Sequence, residues 1–186
     1  MANFKRIDTS LNGMCLIETK KFGDNRGYFM ETYHKKAFEE IGLYMDFVQD
    51  NQSKSAKGVL RGLHFQTQNA QGKLVRVLKG EVFDVGVDLR FGSPTYGKWE
   101  GFILSDENRR MLYVPEGFAH GFLVLSDGAE FTYKCTDFYN PEVEGGIIYS
   151  DKDIAIDWPC DGLELNLSEK DINLPSLKEC NFEYKG

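Results

Sequence analysis

The sequence predicts an all-β fold, a sandwich or barrel with minor helix, and three observations support this. Turn signals such as Lys79–Gly80, Asp127–Gly128 and Asn140–Pro141 recur about every 8 to 15 residues, close to the spacing in sandwiches and barrels. The runs between these turns alternate apolar and polar residues, as β-strands do. The chain has 186 residues, 41% hydrophobic and 27% charged, with no Ser-, Gly- or Pro-rich linker. We therefore expect a single domain over residues 1–186.

Two of the turns lie between runs that are typical of strands. In residues 81–89, the side chains of Asp84, Gly86 and Asp88 share one face, and apolar residues occupy the other. The Asp127–Gly128 turn separates two further runs, and Asp-Gly is a strong hairpin signal. Because Lys79–Gly80 separates its flanking runs in the same way, we expect each turn to join two paired neighbouring strands.

Only two segments indicate helix. In residues 34–43, Phe38 and Ile41 are three positions apart and Gly42 lies near the end, as in a short amphipathic helix. Ser168 and Asp171 have the spacing of a capping box, which predicts a single helical turn near the C-terminus.

Composition excludes several classes of protein. Acidic residues outnumber basic ones by 29 to 22, and the longest basic runs are pairs, so we expect no nucleic-acid partner. No apolar stretch approaches the roughly 20 residues of a membrane span, and the first residues lack the apolar core of a signal peptide. The four cysteines show no C-x-x-C spacing. We expect a cytoplasmic protein with reduced thiols and no membrane partner.

The histidines argue against a catalytic metal. A cupin-type metal site needs a His-x-His pair, but Gln66 stands two positions after His64, and the chain has three histidines in all. His64 is therefore free for proton chemistry, which an unperturbed pKa near 6.5 suits. Strand periodicity predicts that His64 and Gln66 share a face and that Arg61 lies on the other. From local sequence alone, a histidine such as His64 is more often a hydrogen-bonded structural residue than a base, and an arginine such as Arg61 is most often part of a surface ion pair.

Nine segments together resemble the dTDP-4-dehydrorhamnose 3,5-epimerase family. The most specific are Gly58–Gln66 (GVLRGLHFQ) and Pro115–Phe122 (PEGFAHGF). The others follow the same order along the chain: 24–31, 47–51, 71–77, 80–85, 87–90, 133–136 and 167–171. The resemblance implies a cupin-like jelly-roll fold and epimerisation of a dTDP-4-keto-6-deoxysugar at C3 and C5, with no metal and no redox cofactor.

The resemblance also implies catalytic roles. His64 matches the base that removes a proton from the sugar, and Asp171 matches the carboxylate that orients its imidazole. Lys73 is similar to the cation placed at the enolate oxygen, and Tyr133 to the acid that returns a proton from the opposite face.

Binding residues and a partner follow from the same resemblance. Arg26 and Arg61 resemble contacts to the diphosphate, and Tyr139 resembles an aromatic residue that stacks on the base. The resemblance also implies a homodimer, which is typical of the family, with N-terminal residues such as Arg26 and Glu31 reaching the partner's site. The other residues that match substrate-binding positions of the family are Glu31, Gln49, Asn51, His120, Glu144 and Lys170.

Three alternatives stay open from the sequence. The motifs do not decide whether one or both of C3 and C5 are inverted, so a related 3- or 5-epimerase is possible. A non-catalytic cupin that binds sugar nucleotides would lack the base or the acid, whereas both His64 and Tyr133 are present. A metal-dependent cupin oxygenase is disfavoured by Gln66.

Overall fold

The computed structural model describes residues 3–180, 182 and 184, in which strands dominate and two helices are short. This confirms the all-β prediction. The strands are β1 Phe4–Asp8, β2 Cys15–Thr19, β3 Lys21–Asp24, β4 Gly27–Met30, β5 Gln49–Ala56, β6 Leu60–Gln66, β7 Lys73–Lys79, β8 Glu81–Asp88, β9 Trp99–Ser105, β10 Met111–Val114, β11 Phe118–Val124, β12 Gly128–Cys135 and β13 Glu144–Gly146. The helices are α1 Lys35–Glu40 and α2 Glu169–Ile172. None of the helices in the described residues is long and apolar enough to span a membrane.

Two sheets pack face to face. The six-stranded sheet has the order β1-β2-β10-β7-β12-β5, and the five-stranded sheet has the order β13-β6-β11-β8-β9. Every pairing between named strands is antiparallel, and β3 and β4 form a separate hairpin. A core cluster that includes Val75 and Phe131 from the first sheet and Val82 and Phe122 from the second fills the space between them.

The outer faces of the sheets are also covered. A second cluster joins Leu63 and Val85 of the five-stranded sheet to Ile147 and Trp158 from the chain that follows β13. A third cluster packs Phe38 of α1 against the outer face of the six-stranded sheet. Because β8 and β11 have neighbours on both faces, their polar side chains are enclosed and must find partners inside the protein.

Both predicted helices are confirmed. His34 is the N-cap of α1, where its Nδ1 accepts a hydrogen bond from the Ala37 N–H at 3.3 Å. Phe38 is buried, and Gly42 follows the helix with φ +76°. Ser168 is the N-cap of α2 and accepts from the Asp171 N–H.

The two predicted hairpins are wrong. β7 and β8 lie in different sheets, as do β11 and β12, so the Lys79–Gly80 and Asp127–Gly128 turns cross between sheets. The strands on each side of these turns pair elsewhere: β7 pairs with β10 and β12, and β8 with β9 and β11. A turn signal predicts a chain reversal, but the partner depends on which apolar faces meet. At both turns the next strand enters the opposite sheet, where some of its apolar side chains join the core between the sheets.

The two crossing turns pack against each other at Gly80. Its φ is +83°, and a Cβ added there would lie 2.2 Å from the Gly128 carbonyl oxygen. We expect Gly80→Ala to lower the free energy of unfolding, measured by urea denaturation, by more than the about 1–2 kcal/mol that a left-handed conformation alone costs.

Gly92 provides the matched control, because its φ is +73° and nothing lies within 4 Å of an added Cβ. Gly92→Ala therefore carries the backbone cost without the steric clash. Equal losses of stability in the two variants would show that the packing between the turns is unimportant.

Candidate active site

The candidate base and its carboxylate partner are in direct contact. His64 on β6 and Asp171 on α2 lie 2.6 Å apart, from Nε2 to Oδ1. The Ser168 hydroxyl donates to Asp171 Oδ2 at 2.8 Å, and its oxygen accepts from the Asp171 N–H at 3.1 Å. The helix cap thus fixes the carboxylate, whose side chain is only 5% exposed, and the carboxylate fixes the imidazole.

An irregularity in β6 brings Arg61 to the same side as His64. On β11, His120 is opposite His64 and Phe122 is opposite Arg61. A step of two residues on β11 therefore matches a step of three on β6, and cross-strand partners share a face. The prediction that Arg61 and His64 lie on opposite faces is wrong, because uniform alternation does not include such a bulge. Arg61 Nε donates to Ser55 Oγ at 3.2 Å.

A second histidine–aspartate pair lies beside the first. His120 Nε2 is 2.9 Å from Asp84 Oδ1, and the Asp84 side chain is fully buried. The His120 ring stacks on Phe131 with their centroids 6.4 Å apart. Sequence reasoning did not single out Asp84 as functional. The signal available was a carboxylate at an alternating position within an otherwise apolar strand.

Lys73 and Tyr133 come from neighbouring strands of the six-stranded sheet. Their faces are set by the register, in which Lys73 is opposite Cys135 and Tyr133 is opposite Asn51. Burial lowers the pKa of Lys73, and burial raises the pKa of Tyr133. Tyr133 is thus a protonated donor at neutral pH. The six-stranded sheet therefore contributes an amine and a phenol, and the facing five-stranded sheet contributes the two histidines. The space between these four side chains is the candidate cavity.

The protonation of His64 is a balance of opposing effects. Burial is the largest effect and lowers the pKa of His64 below 6.5, while the carboxylates of Asp171 and Glu144 raise it and Lys73 lowers it further. The imidazole is therefore neutral at pH 7. A neutral ring beside a carboxylate can accept a proton and be stabilised once it has done so.

Five residues predicted to bind substrate form one hydrogen-bonded network at the cavity rim. Glu144 Oε2 accepts from the Tyr139 hydroxyl at 2.8 Å and also from the Lys170 ammonium. The Tyr139 N–H donates to Gln49 Oε1 at 2.9 Å, and Gln49 Nε2 donates to Asn51 Oδ1 at 3.0 Å. The network ties the β12–β13 connection to β5 and α2, so these rim residues are held together.

Arg26 and Glu31 are not brought to this cavity within the described chain. Arg26 is exposed at the tip of the β3–β4 hairpin, where it pairs with Asp24. Glu31 accepts a hydrogen bond from Asn3 Nδ2 at 2.6 Å. No contact joins either residue to the other candidate site residues in the described part of the molecule.

The Gln66 side chain holds backbone groups of two loops together. Its amide Nε2 donates to the carbonyl oxygens of Asn69 and Phe138, and its Oε1 accepts from the Asn140 N–H at 2.7 Å. Within residues 3–180, 182 and 184, no three His, Cys, Asp or Glu side chains are grouped so as to hold a metal ion. All four cysteines are free thiols.

The pKa of His64 reports on its contact with Asp171. We expect Asp171→Asn to lower this pKa, since the carboxylate stabilises the imidazolium and an amide does not. Titration of the histidine ring protons by NMR measures the change. Asp153→Asn is the control, because Asp153 pairs with Lys178 on the surface. An unchanged or higher His64 pKa in Asp171→Asn would contradict the assigned pairing.

Known proteins share both the sequence and this arrangement of strands. A curated dTDP-4-dehydrorhamnose 3,5-epimerase from Methanothermobacter thermautotrophicus is 57% identical over 180 residues, which are 96% of this chain and 97% of the relative. The solved dTDP-6-deoxy-D-glucose-3,5-epimerase from Legionella pneumophila, in complex with dTDP-4-keto-L-rhamnose, is 51% identical with a TM-score of 0.93. That likeness covers 98% of this chain and 99% of the other.

A more distant structure has the same fold. A 3'-monoepimerase from Streptomyces bikiniensis, solved with dTDP-quinovose, is 34% identical with a TM-score of 0.86, covering 91% of this chain and 86% of that one. The family model described as dTDP-4-dehydrorhamnose 3,5-epimerase matches residues 8–179. The chain therefore belongs to the dTDP-4-dehydrorhamnose 3,5-epimerase family.

Proposed function

We propose that this chain converts dTDP-4-keto-6-deoxy-D-glucose to dTDP-4-keto-L-rhamnose, within dTDP-L-rhamnose synthesis in the cytoplasm. The observation that carries the proposal is the hydrogen bond between His64 and Asp171 in a cavity that Lys73 and Tyr133 also line. Residues 1–186 act as one cupin-like epimerase domain in this proposal. No nucleic acid and no membrane take part.

Deprotonation is the first step at each centre. C3 and C5 are both α to the C4 ketone, so loss of either proton gives an enolate that is stabilised by the carbonyl. His64 takes the proton at its free ring nitrogen, and Asp171 stabilises the resulting imidazolium. The lowered pKa of His64 keeps the ring ready to accept a proton at neutral pH.

Lys73 stabilises the charge that develops on the C4 oxygen. A fixed cation acts most strongly where charge appears in the transition state, and the low dielectric of the cavity strengthens it. The loss of one such donor typically costs about 10²–10³ in rate.

Inversion requires proton return from the opposite face of the sugar. His64 belongs to the five-stranded sheet, and Tyr133 belongs to the six-stranded sheet that faces it. A sugar between the sheets would have the base on one side and the acid on the other. Because the pKa of Tyr133 is raised, the phenol carries its proton at neutral pH.

The nucleotide binds at the rim of the cavity in this proposal. Arg61, on the same side as His64, supplies a cation for the diphosphate. The side chains of Gln49 and Asn51 offer amide donors and acceptors to the thymine ring. Tyr139 is half exposed, so its ring is open to stacking on the base.

A 3-epimerase is the second candidate, favoured by the likeness to the 3'-monoepimerase. The residues assigned above do not separate inversion of one carbon from inversion of two. The 3,5-epimerase is preferred because the two 3,5-epimerases described above are 57% and 51% identical to this chain, compared with 34% for the monoepimerase.

A homodimer would complete the site. The β3–β4 hairpin presents Phe22, Tyr28 and Phe29 with exposures of 45%, 56% and 66%. An isolated two-stranded hairpin with such exposed aromatic rings is only marginally stable in water, so we infer that a second copy covers it. Arg26 at the hairpin tip and Glu31 beyond it then reach the partner's cavity, which explains why they lie outside this one.

Isotope exchange tests the catalytic assignment. Incubation with dTDP-4-keto-6-deoxyglucose in deuterated water, followed by NMR, should give deuterium at both C3 and C5. We expect His64→Asn to lower exchange by about 10²–10⁴-fold, the usual contribution of a general base. Binding of dTDP should stay within about tenfold.

His34→Asn is the matched control, since His34 is exposed and asparagine also serves as an N-cap. This variant should exchange at the wild-type rate. Exchange at one carbon only would establish the monoepimerase, and wild-type exchange in His64→Asn would remove His64 from the mechanism.

Subunit complementation tests the dimer. Arg26→Ala and His64→Asn should each be nearly inactive alone. If Arg26 acts in the partner's cavity, half of the randomly mixed dimers contain one intact site, so activity should recover to about a quarter of wild type. No recovery after verified subunit exchange would contradict the shared site.

A further inference from the structure

Asp84 is a buried carboxylate with one oxygen left over. Its side chain is fully buried on β8, and Oδ1 is the partner of His120 Nε2 at 2.9 Å. Its second oxygen, Oδ2, has no hydrogen-bond partner in the described structure. Burial of an unpaired carboxylate oxygen costs free energy, so its presence inside the cavity requires a reason.

Lys73, from the six-stranded sheet, is a cation whose charge acts on Asp84. Burial is the main effect on both groups: it raises the pKa of Asp84 and lowers that of Lys73, and each charge opposes the effect of burial on the other. Lys73 also faces Cys135, its cross-strand neighbour on β12, and the charged or titratable groups of Glu144 on β13 and His64 on β6 in the other sheet. Among the described residues, no side chain or carbonyl makes a hydrogen bond or ion pair with the Lys73 ammonium, so that group is free to meet a ligand.

We propose that Asp84 is a positioning residue, which fixes the tautomer of His120 and holds the neighbouring Lys73 ammonium in its charged form. The inference deepens the proposed function and rests on the role given there to Lys73. Asp84 itself does not touch the sugar. It acts through the two side chains beside it.

The effect on His120 follows from hydrogen-bond chemistry. An ionised Asp84 can only accept, so His120 Nε2 must carry a proton, and in the neutral ring Nδ1 is left as an acceptor. The two histidines then have different tasks. His64 accepts a proton from carbon, while His120 Nδ1 can accept a hydrogen bond from a hydroxyl group of the sugar.

The effect on Lys73 follows from electrostatics. A negative charge inside the cavity stabilises the ammonium against its free amine. Without Asp84, the pKa of Lys73 falls. The ammonium at the developing enolate oxygen then loses its proton at a lower pH than in the wild-type protein.

The test compares two isosteric variants on one strand. In Asp84→Asn, the alkaline limb of the kcat–pH profile should move to lower pH by about one unit or more, a tenfold change in the ratio of ammonium to amine. Asp88→Asn is the control: Asp88 is equally buried on β8, but it bonds Arg90, Ser93 and Thr95 outside the cavity. The Asp88→Asn variant should be less stable than the wild type, but the alkaline limb of its kcat–pH profile should not move.

The outcomes separate this inference from the proposed function. An unmoved limb in Asp84→Asn would overturn the role of Asp84, while loss of isotope exchange in His64→Asn would leave the catalytic assignment intact. Should exchange survive in His64→Asn, the catalytic assignment itself fails.

A measurement on the wild-type protein covers the case in which Asp84→Asn does not fold. The chain has three histidines, so imidazole ¹⁵N NMR can resolve each ring, and His34→Asn removes one set of signals. We expect His120 as the Nε2–H tautomer at neutral pH. An Nδ1–H tautomer would place the proton on Asp84 and overturn the proposal.

Discussion

The hydrogen bond between Asp171 and His64 is the interaction on which the proposed chemistry depends. A buried carboxylate is unfavourable unless it is paired, and a buried imidazole loses basicity unless a negative charge lies beside it. The 2.6 Å contact meets both needs. It also joins two remote parts of the chain, because α2 supplies the carboxylate and β6 supplies the ring. The Ser168 cap supports this contact by holding the carboxylate through two hydrogen bonds.

The covered sheets explain how such a site can exist. Apolar clusters on both outer faces and between the sheets shield the strands from water, so polar side chains on inward positions act in a low dielectric. Lys73, Asp84 and His120 are therefore more strongly coupled than the same groups would be on a surface. The sandwich also places His64 and Tyr133 in different sheets, as the proposed inversion at carbon requires.

The sequence predicted the fold class and both helices, since these depend on local alternation, caps and turn residues. It failed where the answer depends on tertiary packing. Turn signals at Gly80 and Gly128 do not say which sheet receives the next strand, and uniform alternation does not include the bulge that brings Arg61 beside His64. Strand alternation identifies Asp84 only as one more polar residue on a strand. Its importance depends on His120 and Lys73, which come from other strands.

The most direct test of the account uses substrate that carries deuterium at C3 and C5, with the wild-type protein in ordinary water. If His64 takes each proton from one face and Tyr133 returns another from the opposite face, the epimerised product should retain no deuterium at either carbon. Retention of deuterium at an inverted carbon would mean that the hydrogen is carried across by another route, and it would contradict the two-sided acid–base mechanism.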